Sequence, residues 1–196
     1  MAALTLRRTV VVVALLNVAY FGVEFAVALA IGSVSLFADS VDFLEDASVN
    51  ALIALALGWS AARRAQVGFV LAALLLVPGV ATIAMAWHQF GAATPPDARW
   101  LSGTGAGAFA VNMTCALLLA RVRHHAGSLS KAAFLSARND VLANVAIVAA
   151  GAVTALAGSA WPDLVVGIAI GLLNAGAARE VIEAARADRA EAAPKP

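Results

Sequence analysis

Long apolar runs recur along the chain, and each ends at a cluster of charge or a Gly- or Pro-containing stretch. A helix needs about 20 mostly apolar residues to cross a bilayer. The runs therefore predict six spans, at residues 9 to 30, 35 to 58, 66 to 87, 100 to 120, 131 to 157 and 161 to 178. The expected fold is an all-α membrane protein, a six-helix transmembrane domain over residues 1 to 180 followed by a short tail over 181 to 196.

Composition supports that division. Of the 196 residues, 62% are hydrophobic and 13% charged, with a mean hydropathy of +0.88, against roughly 25% charged in a soluble domain. Basic residues provide an independent test, because Lys and Arg concentrate in cytoplasmic loops. With the N-terminus inside, Arg7, Arg8, Arg63, Arg64, Arg121, Arg123, Lys131, Arg179, Arg186, Arg189 and Lys195 all fall on the cytoplasmic side. Of the 13 basic residues only Arg99 in an outer loop and Arg138 within a helix stand apart. An even number of spans with both termini cytoplasmic follows, in a multi-pass inner-membrane protein. Arg7-Arg8 ahead of an apolar run could also open an export signal, but the run is longer than a signal core and contains Asn17 and Glu24.

A net charge of +1 without a basic domain argues against a nucleic-acid partner. The chain has no Gly-x-x-x-x-Gly-Lys phosphate loop and so no visible means of hydrolysing ATP; neither an enzyme nor an organic cofactor is expected. The single cysteine, Cys115, reads as a small packing residue in the fourth span.

The acidic residues inside the spans carry the chemistry. An Asp at the centre of a spanning helix costs roughly 2.5 to 3.5 kcal/mol, so several together would cost near 10 kcal/mol without compensation. The second span holds Asp39, Asp42, Glu45 and Asp46, and the fifth holds Arg138, Asn139, Asp140 and Asn144. A bound cation is the simplest compensation. At 100° per residue, Asp42 and Asp46 share a helix face with Asp39 below and Asn50 above, and Ser136, Asp140 and Asn144 form a matching ladder. Both helices thus carry a polar residue, an Asp and an Asn at intervals of four, as an inverted repeat around a midplane site would. Asp46 lies ~16 Å from the outer end of its helix and Asp140 ~14 Å from the inner end of its own, so both fall near the middle of a core about 30 Å thick.

The candidate ligands are Asp42, Asp46 and Asp140, with a fourth from Ser136, Asn144 or water. Oxygen ligands alone suit Mn, Mg or Fe(II), whereas Zn normally draws on His or Cys. Asp39, about four residues into its helix, is expected at a watery entrance, and Asn50 as a secondary residue. Glu45 faces away from Asp46, towards an interhelical contact that could involve Arg138, or alternatively acts as a ligand. Asn17, Glu24 and Asn112 fit hydrogen-bond bridges between helices as well as they fit an ion path. His88 sits at a helix end, at the interface. His124 and His125 could gather metal in a cytoplasmic loop or do nothing there. Gly103, Gly107, Gly167 and Gly171 suggest close helix packing.

With these residues laid out, the chain resembles the cation diffusion facilitator family of divalent-metal/proton antiporters. The resemblance begins with Asn17, Tyr20 and Glu24. It is most specific at Gly32-Ser-Val-Ser-Leu-Phe-Ala-Asp-Ser-Val-Asp-Phe-Leu-Glu-Asp46, similar to a family signature of Gly-Ser, Leu, Asp, then His or Asp, then Asp at the same spacing. It continues through Asp140 and Asn144 to Trp161-Pro-Asp163. It implies four metal-binding side chains, two from each of the second and fifth helices. Three fall on Asp42, Asp46 and Asp140, and the fourth on Ser136, where the family usually has His or Asp. Members usually continue into a soluble metallochaperone-like domain, whereas this chain stops at Pro196, so a compact form without a regulatory domain is expected, with dimerisation through the membrane helices.

The function expected on this reading is proton-coupled efflux of a divalent metal ion, of the Zn, Co and Cd or the Mn and Fe type. The expected partners are divalent cations, protons, the bilayer and a second copy in a homodimer. Two other readings use the same acids: an organic-cation antiporter, which calls for an aromatic-lined pocket although only 7% of residues are aromatic, and a non-transporting subunit whose acids pair with a partner's basic helix.

Overall fold

A computed structural model describes residues 2–56, 66, 82–90, 94–122 and 127–173. Among them every regular element is helical: α1 (Ala2–Ile31), α2 (Val34–Ala56), α3 (82–90), α4 (Ala98–Ala120), α5 (Gly127–Ala157) and α6 (Trp161–Leu173). Leu6–Ile31, Ala98–Ala120 and Ser136–Ala157 are long and apolar enough to span a membrane. At 23 residues α2 has the length, but its centre carries the acids. Most of the expected third span, His124, His125 and the tail lie outside the described residues.

α1 packs on α2 and α4 on α5, while contacts of α1 with α4 and of α2 with α5 close the bundle. Side-chain pairings fix the helix directions. Tyr20 meets Phe43 and Phe25 meets Phe37 between α1 and α2, with ring centroids 5.1 and 5.5 Å apart. Tyr20 donates to the Thr104 carbonyl at 2.6 Å, and Asn17 lies against Cys115. Numbers rise on one helix of each pair as they fall on the other, so α1 and α5 run one way and α2 and α4 the opposite way.

The bundle is polar within and apolar without. Leu15, Leu142 and Val145 point outwards with 64%, 65% and 52% of their surface exposed, the arrangement that lipid contact favours. Trp87, Phe90, Trp100 and Trp161 are exposed at one end of the bundle, where Phe90 meets Trp161 edge-on at 5.5 Å. Exposed tryptophans grouped at one end mark a membrane–water interface. Arg7, Arg8 and Arg121 are exposed at the other end.

Two apolar clusters close the interior. Leu6, Val10, Ile53, Leu119 and Ala137 pack at the arginine end, and Ala28, Leu36, Phe37, Leu101 and Ile147 at the aromatic end. Cys115 packs within the first as a small core residue. Between the two lies a belt of buried polar side chains.

The turn between α1 and α2 orients the polar face of α2. α1 ends on Gly32, whose φ of 68° is costly for residues with a Cβ. The Ser33 N–H then reaches back to the Ala28 carbonyl at 3.0 Å, a Schellman closure. Ser33 caps α2 by accepting from the Leu36 N–H at 3.2 Å. Asp163 of α6 satisfies the rest of this first turn: its carboxylate accepts from the Val34 and Ser35 N–H groups at 2.8 and 3.2 Å and from the Ser33 and Ser35 hydroxyls at 2.7 and 2.5 Å. Beside it, a Cβ on Gly167 would come within 2.7 Å of the Val34 and Ser35 backbone, so glycine is what lets α6 lie on α2. Gly107 serves α4 similarly against the Tyr20 ring, whereas a Cβ on Gly103 would meet nothing within 4 Å and contributes no such contact.

Candidate cation site

The site grows from two antiparallel polar faces. Asp39, Asp42, Asp46 and Asn50 descend α2 at spacings of three and four, and Ser136, Asp140 and Asn144 climb α5 at spacings of four, which keeps each set on one helix face. Because the helices run oppositely, the first residues of one set meet the last of the other. The Ser136 hydroxyl donates to Asp46 Oδ1 at 2.9 Å. The Asp46 and Asp140 carboxyls come within hydrogen-bonding reach of each other, with Asp42 beside Asp140. At the far end Asn144 donates its amide N–H to Asp39 Oδ2 at 2.5 Å.

Of the expected ligands, then, Ser136 and Asp46 meet directly, Asp140 comes within reach of Asp46, and Asp42 is near Asp140. Asp46 is 4% exposed, and its Oδ2 has no hydrogen-bond donor. Two carboxylates in contact repel strongly in a low-dielectric interior; they can meet only if a proton or a cation lies between them. Among the described residues no three His, Cys, Asp or Glu side chains converge tightly enough to hold a metal as they stand.

Asn144, considered as a fourth ligand, is placed differently. Its amide is fully buried, gives its N–H to Asp39 and accepts at Oδ1 from the Asn112 side chain at 3.0 Å. It links α4, α5 and α2 about two turns away from the Asp46 and Ser136 level. Asp39 likewise differs from the entrance expected of it: it has no exposed surface, and every residue from Ser33 to Val41 is buried. Distance along a helix measures depth from its end, but α6 covers that end through Asp163 and Gly167. Asn50 is buried with its Nδ2 bonded to the Asp46 carbonyl at 2.8 Å, which leaves its Oδ1 unpartnered. Arg138 is exposed and donates to Asn139 Oδ1 at 3.4 Å, and Glu45 stands half-buried near Asp42 and Asp140. His88 is exposed at the end of α3.

Two features were not assigned from sequence. One is the role of Asp163 as the anchor of α2, signalled by a conspicuous Asp near the start of an apolar span and by the Ser33-Val-Ser35 turn. The other is the pairing of Glu24 with Asp39 across α1 and α2, signalled by an acid in the middle of a span with no basic residue near it in sequence.

Residues 10–187 match the family model of the cation efflux transmembrane domain. No curated protein sequence matches the chain.

Proposed function

Since this chain belongs to the cation diffusion facilitator family and is a multi-pass membrane cation transporter, we propose that it exports a divalent metal ion in exchange for protons through a site made by Asp42, Asp46, Asp140 and Ser136. The observation that carries this reading is the meeting of Asp46, Asp140 and Ser136 from two antiparallel helices in the middle of a bundle closed by apolar clusters at both ends.

Proton and metal compete for the same oxygens. A metal ion arriving between Asp46 and Asp140 displaces the proton they share and draws in Asp42 and the Ser136 hydroxyl; a returning proton removes the charge that holds the ion. The apolar cluster at one end opens while the other stays shut, so the site faces each side in turn. An all-oxygen set favours Mn(II) or Fe(II) over Zn(II), Co(II) and Cd(II). The arginine-rich end lies in the cytoplasm with both termini, in the inner membrane, and two copies associate through their membrane helices.

The test is metal flux into proteoliposomes, for Mn(II), Fe(II), Zn(II), Co(II) and Cd(II) in turn, with and without an imposed pH gradient. The reading requires gradient-dependent flux, largest for Mn(II) or Fe(II). Flux of an organic cation with no metal flux, or no flux of any kind from folded protein, would replace it.

A further inference from the structure

A second cluster lies nearer the aromatic end of the bundle than the site described above. Glu24 of α1 and Asp39 of α2 are both fully buried and face each other. Asn144 holds Asp39 Oδ2, and Asn112 in turn holds Asn144, so three helices, α2, α5 and α4, fix the position of the Asp39 carboxylate. Three carboxyl oxygens are left over: no donor on another residue reaches either Glu24 oxygen or Asp39 Oδ1, so these two facing acids can be satisfied only by a proton or a cation between them. Tyr20, one turn before Glu24, stands near both acids; its hydroxyl proton goes to the Thr104 carbonyl while the Ala108 N–H approaches its oxygen.

This is an unusual amount of unsatisfied acceptor to bury. A buried charge without a partner costs several kcal/mol, and no arginine, lysine or histidine among the described residues is shown against either acid. The donor set is all oxygen, with two acids on different helices and a neutral phenol oxygen beside them, which is the chemistry of a divalent-cation site.

We propose that Glu24 and Asp39 form a second binding site for the transported divalent cation, with Tyr20 as a neutral oxygen ligand. The inference rests on the transport reading above. Along α2, Asp39 is seven residues from Asp46, ~10 Å of helix rise. It lies directly beneath the apolar cluster of Phe25, Phe37, Leu36 and Ala28 that closes the aromatic end. An ion leaving the Asp46 and Asp140 level towards that end meets Glu24 and Asp39 next. Two negatively charged sites at this spacing let a second cation entering the first help to release the one ahead of it by repulsion.

The experiment counts bound ions on the full chain in lipid nanodiscs, titrated with Mn(II) and followed by the loss of the free-ion electron paramagnetic resonance signal. Wild type should bind two Mn(II) per chain, Glu24→Gln one, and Asp140→Asn one. Asp39→Asn should repeat the Glu24→Gln result, giving a second variant should either fold poorly. Wild type binding one ion, with Asp140→Asn binding none, would overturn the second site while leaving the transport reading intact. Retention of two ions by Glu24→Gln would also overturn it. No Mn(II) binding by folded wild type would remove both.

Discussion

Asp163 and the acids of the polar belt are the same chemical group at similar depth of burial, yet the protein treats them in opposite ways. Asp163 has no exposed surface and receives four hydrogen bonds, two from the first turn of α2 and two from serine hydroxyls. The positive end of a helix dipole and four fixed donors offset its charge permanently. Glu24, Asp39 and Asp46 are as deeply buried, and each keeps at least one oxygen with no donor. Their charge is offset only when something mobile arrives. A carboxylate that the fold fully satisfies holds helices together; one that the fold leaves short of donors is available to a proton or a metal ion.

Substitutions can break that distinction from either side. The largest effect on function is expected at the unsatisfied acids. Asp46→Ala should abolish metal transport in proteoliposomes while leaving membrane insertion and the helical circular dichroism spectrum unchanged, because it removes a ligand and relieves a buried charge. Asp163→Ala should do the reverse. It strands two N–H groups and two hydroxyls at the root of α2 and should cost about 3–5 kcal/mol of stability, read as a lower midpoint of thermal unfolding in detergent; Asp163→Asn should recover part of the loss.

A smaller effect is expected where α6 rests on α2. Gly167→Ala places its Cβ against backbone that has little room to yield, and should cost about 1–3 kcal/mol, whereas Gly103→Ala, with open space around it, should be close to neutral in the same assay. The smallest effect should come from Ser136→Ala. It removes one hydroxyl hydrogen bond to Asp46, worth about 0.5–1.5 kcal/mol, so Mn(II) affinity should fall by no more than about tenfold. Ser136→His sharpens the comparison differently: an added imidazole should shift preference towards Zn(II) in competition binding.

Much of this was legible in the pattern of polar residues within apolar runs. The fourth span was expected at 100 to 120 and is Ala98–Ala120; the fifth was expected to end at 157 and does. Charge clusters and Gly or Pro stretches mark helix ends because spanning helices tolerate little charge, and the signal is strong. The facing ladders of α2 and α5 were legible for the same reason, since helical period and opposite direction together determine which residues meet. What sequence could not supply was lateral neighbourhood. Asp39 was read as near water because it is near a helix end, and only the packing of α6 on that end shows otherwise. Asn144 was weighed as a ligand because it sits on the right face, yet it is engaged by Asp39 and by Asn112 from a helix that the ladder argument did not include.

The most direct test of the distinction between satisfied and unsatisfied carboxylates is Mn(II) flux under a pH gradient by Asp140→Asn and Asp163→Asn, each normalised to the amount of folded protein in the vesicles. The account predicts no gradient-driven flux from Asp140→Asn and near wild-type flux per folded molecule from Asp163→Asn. Wild-type flux from folded Asp140→Asn would contradict it.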